Sequence, residues 1–404
     1  MGDILFLAHR APYPPDRGDK IRSFHILKHL AQNHRVHLAA FADNPADLAG
    51  DQGLLGEIGE RAIVWRGKGQ ARAAIEALVS RRPVSLAAFD DGGMRRAVQG
   101  MLARHPIETI YVFSSQMAQY LPDDARQRVI MDFVDMDSAK FAAYADGARG
   151  PMAWMLAREA RLLLAHERAV AARADASLFV SAAEAELFRA RTGADRVEVV
   201  ENGIDTGHFD PAAAFAPVEM GPAALLFTGQ MDYRPNIEGV TWFAEEILPR
   251  VREHRPEAEL LVVGRSPTEA VIALGKRPGV RIVGEVADMR GWLAAAAVVV
   301  APLKLARGIQ NKVLEGMAMA RPVMASEAAA TGIDHRGTIR VGANAAEIAD
   351  QVDRLLANRA EAEELGRAAR GQVIARYGWD ARLAPLDNLL GASPRSSSPA
   401  MQAA

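Results

Sequence analysis

The sequence predicts an α/β protein built as two doubly wound parallel-sheet domains facing across a cleft. Three observations carry that reading. Short unbroken apolar runs alternate with helical patterns along the chain, the signature of strands buried on both faces of a parallel sheet. Two of these runs, residues 4–8 and 224–228, begin alike, each passing through a turn-rich stretch into a helix. The chain has 404 residues, half of them hydrophobic, which is too long for one ordinary domain and enough for two or three.

In the first half, Ile4-Leu5-Phe6-Leu7-Ala8 leads through Pro12 to Gly18 into a helix whose Ile21, Phe24, Leu27 and Leu30 recur every three to four residues. The runs 36–40, 109–113, 129–131 and 177–180 supply further strands. Asn202-Gly203-Ile204-Asp205 and the Ala/Pro-rich stretch to Pro222 read as a linker. Beyond it, residues 224–228 enter a turn from Gly229 to Asn236 and then a helix carrying Val240, Phe243, Ile247 and Leu248. The runs 259–263, 280–283, 298–301 and 322–325 complete the second half. The first domain is therefore placed at 1–205, the linker at 206–222 and the second domain at 223–390, with a last helix able to pack back on the first. Residues 391–404 are polar and low in complexity, so a disordered tail is expected.

Composition excludes several classes. Lys plus Arg number 48 and Asp plus Glu 50, for a formal charge of −2. Neither half is a polycation, so no nucleic-acid partner is expected. Cys is absent, which removes disulfides, Cys-bound zinc, iron–sulfur clusters and thiol nucleophiles. The longest apolar stretch, 292–303, falls short of the ~18 residues that span a bilayer. The run 4–8 is too short for a signal-peptide core. A cytoplasmic protein is expected, with at most a peripheral contact at the inner face of the cytoplasmic membrane.

Two open α/β domains bring loops and helix N-termini to the cleft at the strand carboxyl ends, where free N–H groups and the helix dipole favour phosphate. The stretch 301–318 is the most informative. A strand ends at Ala301-Pro302, a loop with Lys304, Arg307 and Gly308 follows, and a helix starts near Gln310, Asn311 and Lys312. Three cations at such a junction suit a diphosphate. Glu315, one turn past Lys312, suits ribose hydroxyls. The plain alternative is a solvated helix start with a Lys312–Glu315 pair at three residues.

With these residues in view, the chain resembles the retaining glycosyltransferases of family four, whose GT-B fold joins two Rossmann-like domains. Pro14-Pro15-Asp16-Arg17-Gly18-Asp19 resembles the family's N-terminal Gly-containing loop near acceptor and donor phosphates. Val199-Val200-Glu201-Asn202-Gly203-Ile204-Asp205 is similar to the segment that leads into the linker. Phe227-Thr228-Gly229-Gln230-Met231 resembles the first strand and phosphate loop of the donor domain. Leu261-Val262-Val263-Gly264 and Val280-Arg281-Ile282-Val283-Gly284-Glu285-Val286 resemble the strands flanking the nucleobase. Asn311-Lys312-Val313-Leu314-Glu315-Gly316-Met317-Ala318, followed by Arg321-Pro322-Val323, resembles the donor-binding helix. More narrowly, His9-Arg10-Ala11-Pro12-Tyr13-Pro14-Pro15, Asp135-Met136-Asp137-Ser138-Ala139-Lys140 and Arg307-Gly308-Ile309-Gln310-Asn311-Lys312 are similar to bacterial sugar transferases of exosortase (PEP-CTERM) systems and exopolysaccharide loci.

The resemblance implies transfer of a hexose from a nucleotide diphosphate-sugar to a glycan or lipid-linked acceptor, with retention. It implies no metal and no further cofactor. Gly229, Arg234, Gly264, Arg265, Gly284, Val286, Lys304, Arg307, Gly308, Gln310, Asn311 and Glu315 would hold the donor, with Gly18 reaching it from the first domain. Lys312 and Asp135 are the catalytic candidates, Asp135 standing where many members place a histidine. In retaining members the departing phosphate helps take the acceptor proton, so no strong protein base is required, and hinge closure expels water. Two departures stand out. Arg307 occupies the place of the first of the family's paired glutamates, and Gln230 and Asn236 stand where Arg and Lys are usual. Arg307, Arg234 and Lys312 are therefore expected to grip the diphosphate together. Two rivals share the features: a nucleotide-sugar 2-epimerase on the same fold, and a non-catalytic sugar-nucleotide-binding subunit.

Other motifs read plainly. Asp135-Met136-Asp137 has the Asp-x-Asp form that holds a cation in another transferase fold, but it lies far in sequence from the donor loops, and no metal is expected there. His25 and His29, four apart, are ordinary helix positions without an acidic third ligand. The pattern 154–173 reads as a packing helix with a solvated face. A membrane-surface role is its alternative, although Glu159 and Glu167 dilute the positive charge.

Overall fold

A computed structural model of the chain describes residues 2–15, 18–49, 58–306 and 309–391. The chain forms two compact units, one running to Asn202 and taking in the chain from Arg382, the other spanning Gly203–Ala381.

The first unit is a seven-stranded sheet of β1 (Asp3–Ala8), β2 (Val36–Ala42), β3 (Ile58–Trp65), β4 (Ile107–Phe113), β5 (Arg128–Val134), β6 (Ala176–Phe179) and β7 (Val197–Val199). The strands are parallel and ordered β3-β2-β1-β4-β5-β6-β7. Beside its central strand β4 lies β1, where residues 4–8 are buried on both faces as their unbroken apolar run requires. Strand order reverses between β1 and β4, so the loops leaving their carboxyl ends splay apart and open a crevice there. Beneath it, the buried Arg22 guanidinium donates to Asp132 on β5 (3.1 Å), to the Val200 carbonyl (2.8 Å) and to Asn202 Oδ1 (2.9 Å). This ties the last residues of the unit to its sheet. The terminal helix Trp379–Leu390 returns to the same unit, with Asp387 3.0 Å from His29 Nε2 and Arg382 paired to Glu201.

The second unit is a six-stranded sheet of β8 (Ala224–Thr228), β9 (Glu259–Val263), β10 (Val280–Gly284), β11 (Val298–Ala301), β12 (Val323–Ser326) and β13 (Arg340–Gly342). It is also parallel, ordered β10-β9-β8-β11-β12-β13, with the reversal between β8 and β11. Segment 206–222, expected as a free linker, is pinned to this unit. Arg370 pairs with Asp210 at 3.1 Å and donates to the Phe209 carbonyl at 2.9 Å. From residue 392 on, the expected disordered tail lies outside the described residues, as do Asp16, Arg17, Arg307 and Gly308.

The strands not anticipated are β3, β7 and β13, which are the outermost strands or lie at the sheet edge. β7 and β13 are three residues each and carry no continuous apolar run, and the run Ala62 to Trp65 at the end of β3 follows a polar start, is only half-buried and ends on an exposed Trp65. No helix among the described residues is long and apolar enough to cross a membrane.

Candidate active site

At the reversal point of the second sheet, β8 ends at Thr228 and the chain turns at Gly229, which adopts φ of 152°. A Cβ on Gly229 would lie 2.7 Å from Asn236 Nδ2 and 3.3 Å from Lys312 Nζ. Next to it, at the end of β9, Gly264 adopts φ of 154°, and a Cβ there would lie 1.7 Å from the Gly229 carbonyl oxygen. The two turns are thus back to back, which only glycine at both positions permits. Gly264 N–H donates to the Gly284 carbonyl (2.8 Å), so the exits of β8, β9 and β10 form one platform.

Across the reversal point, β11 is followed in the chain by the helix Asn311–Ala318. The Gln310 carbonyl accepts from Val313 N–H (3.0 Å), and among the described residues no side-chain hydrogen bond caps the helix start. Lys312, in the first turn, reaches back under the Gly229 loop. Its ammonium donates to Asn236 Oδ1 at 2.5 Å and lies 4.3 Å from the centre of the Phe227 ring. Only 8% of the residue is exposed, and burial lowers the ammonium from 10.5 to about 8, with Glu315 opposing. Asn236 is itself buried and oriented by donating from Nδ2 to the Gln230 carbonyl (2.8 Å). Glu315 is partly buried. Loss of water raises its carboxyl to about 7 against the pull of Lys312, and that carboxyl has no hydrogen bond among the described residues. The Thr228 hydroxyl nearby in the chain is buried and unpartnered among them as well.

The other donor-side residues divide clearly. Arg265 donates to Gln230 Oε1 at 3.0 Å on the exposed rim of the platform, and Val286 packs on the core of the unit. Asn311 is exposed at the helix start. Arg234 does not join Lys312: its side chain is 85% exposed and its Nε pairs with Glu238, one turn along its own helix, at 2.7 Å. Lys304 also turns away, 5.2 Å from the Trp242 ring and 3.9 Å from Glu246. The expected grip of converging surface cations therefore reduces, among the described residues, to the one buried Lys312, because Glu238 on its own helix captures Arg234 and Trp242 and Glu246 draw Lys304 aside.

In the first unit, the loop after β1 carries a cluster the sequence reading did not single out. His9 Nε2 lies 3.1 Å from Asp19 Oδ2, and its ring stacks on Phe113 at 5.7 Å with Nδ1 buried and unpartnered among the described residues. Burial alone would raise the Asp19 carboxyl, but His9 and Arg10 hold it well below the usual range. Arg10 also donates to Asp43 at 2.8 Å. Gly18 begins the adjoining helix Gly18–Ala31 with open space around its α-carbon. Asp135 follows β5 on an exposed turn, after Val134 at φ of 70°. Its neighbour Asp137 is turned inward, accepting from Ser115 Oγ at 3.2 Å, and burial raises its carboxyl. Asp135 and Asp137 thus differ in setting, one in water and one committed to a hydroxyl.

Residues 222–358 match the family model described as glycosyl transferases group 1. That match lies within the second unit. Together with the two-sheet GT-B fold, this makes the chain a glycosyltransferase. Solved structures similar to the whole chain include Alr3699/HepE from Anabaena in complex with UDP (TM-score 0.60, 14% identity, 96% of this chain and 99% of that one). A sucrose-phosphate synthase from Thermosynechococcus elongatus is similar at TM-score 0.59 and 19% identity, over 97% and 98% of the two chains. TarM from S. aureus is similar at TM-score 0.59 and 11% identity, over 97% and 100%. No curated protein sequence matches the chain. At such identities the likeness is one of fold.

Two features of this glycosyltransferase escaped the sequence reading. Asn236 was read as a missing cation, yet it is the acceptor that positions Lys312 from 76 residues away. His9 was read only as part of a motif, and nothing local marks it as the partner of Asp19. His9 directly follows β1 at the reversal point, a position that could have flagged it, whereas Asn236 sits in the first turn of the helix Arg234–Trp242 and carries no such signal.

Proposed function

We propose that this glycosyltransferase takes a hexose from a uridine diphosphate-sugar and transfers it with retention to a glycan or lipid-linked acceptor, in cell-surface or exopolysaccharide synthesis. The single observation that supports the reading most is Lys312, a buried ammonium held beneath the glycine platform beside an uncapped helix N-terminus. A diphosphate laid over Gly229 and Gly264 meets backbone that carries no side chain, N–H groups at the start of the helix Asn311–Ala318 and the Lys312 charge. As the sugar–phosphate bond breaks, negative charge grows on the departing phosphate, and fixed donors there are worth roughly 3 kcal/mol of barrier each. Glu315 accepts from the ribose hydroxyls, which favours its ionised form. UDP is put forward as the nucleotide because HepE and TarM structures contain it. Retention follows from the family resemblance, with the leaving phosphate taking the acceptor proton and Asp135 a polar contact for sugar or acceptor. No metal is needed on this reading, since Lys312 and helix N–H groups neutralise the diphosphate.

Thermal-shift titration with UDP-, GDP- and ADP-glucose, with and without EDTA, tests the donor site. A ligand at about 100 times its dissociation constant stabilises by about 2.7 kcal/mol. Stabilisation by UDP-glucose that survives EDTA is expected, and no response to any nucleotide sugar overturns the proposal. Donor turnover with no acceptor present would point to the 2-epimerase instead, and binding without turnover to a non-catalytic subunit.

A further inference from the structure

We propose that a cleft at the amino edge of the second sheet binds a small organic anion, its carboxylate or phosphate on Arg321 and its apolar body against Leu355 and Ala296. The cleft has a volume of about 370 Å³, within the range of small-molecule sites. It lies where the chain enters β8 at Pro222, β11 at Ala297 and β12 at Pro322. The glycine platform stands at the other ends of these strands, so the two places are a strand's length apart, roughly 15 Å.

Small side chains make the space, and the backbone keeps it. Ala295, Ala296 and Ala297 line it from the turn before β11, and Ala362 lines it from the helix Arg359–Tyr377. That helix cannot move in to fill the gap, because it already touches the turn at Ala320. A Cβ on its Gly366 would lie 2.1 Å from the Ala320 carbonyl oxygen. Its first turn is also tied to the sheet, with Glu361 2.7 Å from Arg340 on β13. Leu355, on the preceding helix Ala345–Ala357, adds a large apolar surface.

Arg321 supplies the charge. Its Nη1 is 3.5 Å from the Ala296 carbonyl oxygen, the outer limit of a hydrogen bond, and its Nε is buried without a partner among the described residues. Burial lowers this guanidinium from its ordinary value, and Glu363 opposes only through space. Glu363 lines the cleft too, but its Oε1 accepts from Arg359 Nε at 2.9 Å. The cleft therefore holds two cations, Arg321 and Arg359, against one acid already engaged. A charge drawn out of water without a matched partner gains most from an anion, and the guanidinium fork takes a carboxylate or a phosphate through two parallel bonds. The alanine and leucine walls favour an anion with a carbon body over a bare inorganic ion.

Isothermal titration of the full chain with phenyl phosphate, benzoate, inorganic phosphate and acetate tests the cleft. At least one phenyl anion should bind, at least about tenfold more tightly than the matching bare ion, and the tighter of the two identifies the head group. Arg321→Met should weaken that binding at least about tenfold. Ala295→Leu, which fills part of the apolar wall, should weaken it as well, and both variants should melt near the parent. Lys312→Met should leave it intact, since the donor platform lies at the opposite edge of the sheet. If Arg321→Met does not fold, Ala295→Leu decides. Absence of binding by both phenyl anions, equal affinity for phenyl and bare ions, or full affinity in Arg321→Met overturns the proposal. So does loss of binding in Lys312→Met, which would place the anion on the donor platform.

Discussion

Replacing Lys312 with methionine separates a brace from a binding charge. The ammonium is nearly fully buried, and burial lowers it from 10.5 to about 8. At neutral pH that displacement disfavours the folded state by about 3 kcal/mol. Lys312→Met keeps most of the volume and removes this cost. It leaves Asn236 Oδ1, buried and 2.5 Å from the present ammonium, without its donor, a loss of about 1–3 kcal/mol. The two effects nearly cancel, with a remainder of about 0–2 kcal/mol in favour of the variant. The expected melting temperature is therefore unchanged or higher by a few degrees, since 1 kcal/mol moves it by about 2–4 °C at this size. Nucleotide affinity should respond in the opposite sense. Losing a charge-assisted contact to phosphate is worth about 2–3 kcal/mol, or roughly 30- to 160-fold in the dissociation constant for UDP. Differential scanning calorimetry and isothermal titration of the same preparations give both numbers. A variant that melts much lower yet binds UDP as the parent does would make Lys312 a structural brace, and the donor argument would fail with it.

The same lysine sets a pH limit: UDP binding should weaken above about pH 8, approaching tenfold per pH unit, and Lys312→Met should flatten that limb in calorimetry. The fold answers oppositely on this account, because the unfolded lysine holds its proton up to 10.5 and stability from this group rises between pH 8 and 10.5. Gly264→Ala places a methyl 1.7 Å from backbone oxygen and should leave little folded protein by circular dichroism. Gly229→Ala meets side-chain ends rather than backbone but at a φ of 152° that strains any Cβ, so it should lower the melting temperature less than Gly264→Ala does and bind UDP at least tenfold more weakly. Arg307→Glu should lower donor affinity and turnover, and full retention of both would remove Arg307 from the site. Glu167, buried and raised to about 7 by loss of water, favours the fold below pH 4.5, and this contribution is lost as pH rises through 7. Glu167→Gln should therefore flatten the fall in melting temperature between pH 5 and 8.

What the sequence shows and what it hides divides along the range of the interactions. The inner strands are readable because each is buried on both faces by neighbours that any parallel sheet supplies, so an apolar run such as Leu5 to Ala8 is sufficient evidence. The edge strands β3, β7 and β13 lack a second neighbour or a second covered face, and their residues carry no such mark. Gly229 and Gly264 are readable for a similar reason, since a turn tight against a strand exit demands glycine whatever lies opposite. The cations are another matter. Arg234, Lys304 and Lys312 look alike in sequence, and their fates depend on which partner each reaches. Arg234 finds Glu238 at four residues, and Lys304 finds Trp242 and Glu246 some sixty residues back in the chain. Lys312 has Glu315 at three residues but extends instead to Asn236, 76 positions away, because its helix begins directly under the β8 turn. A charge committed to its own helix costs little and binds little. A charge held out of water by a neutral amide keeps its field for whatever anion arrives, which is why the least exposed of the three cations is the one proposed to hold the donor.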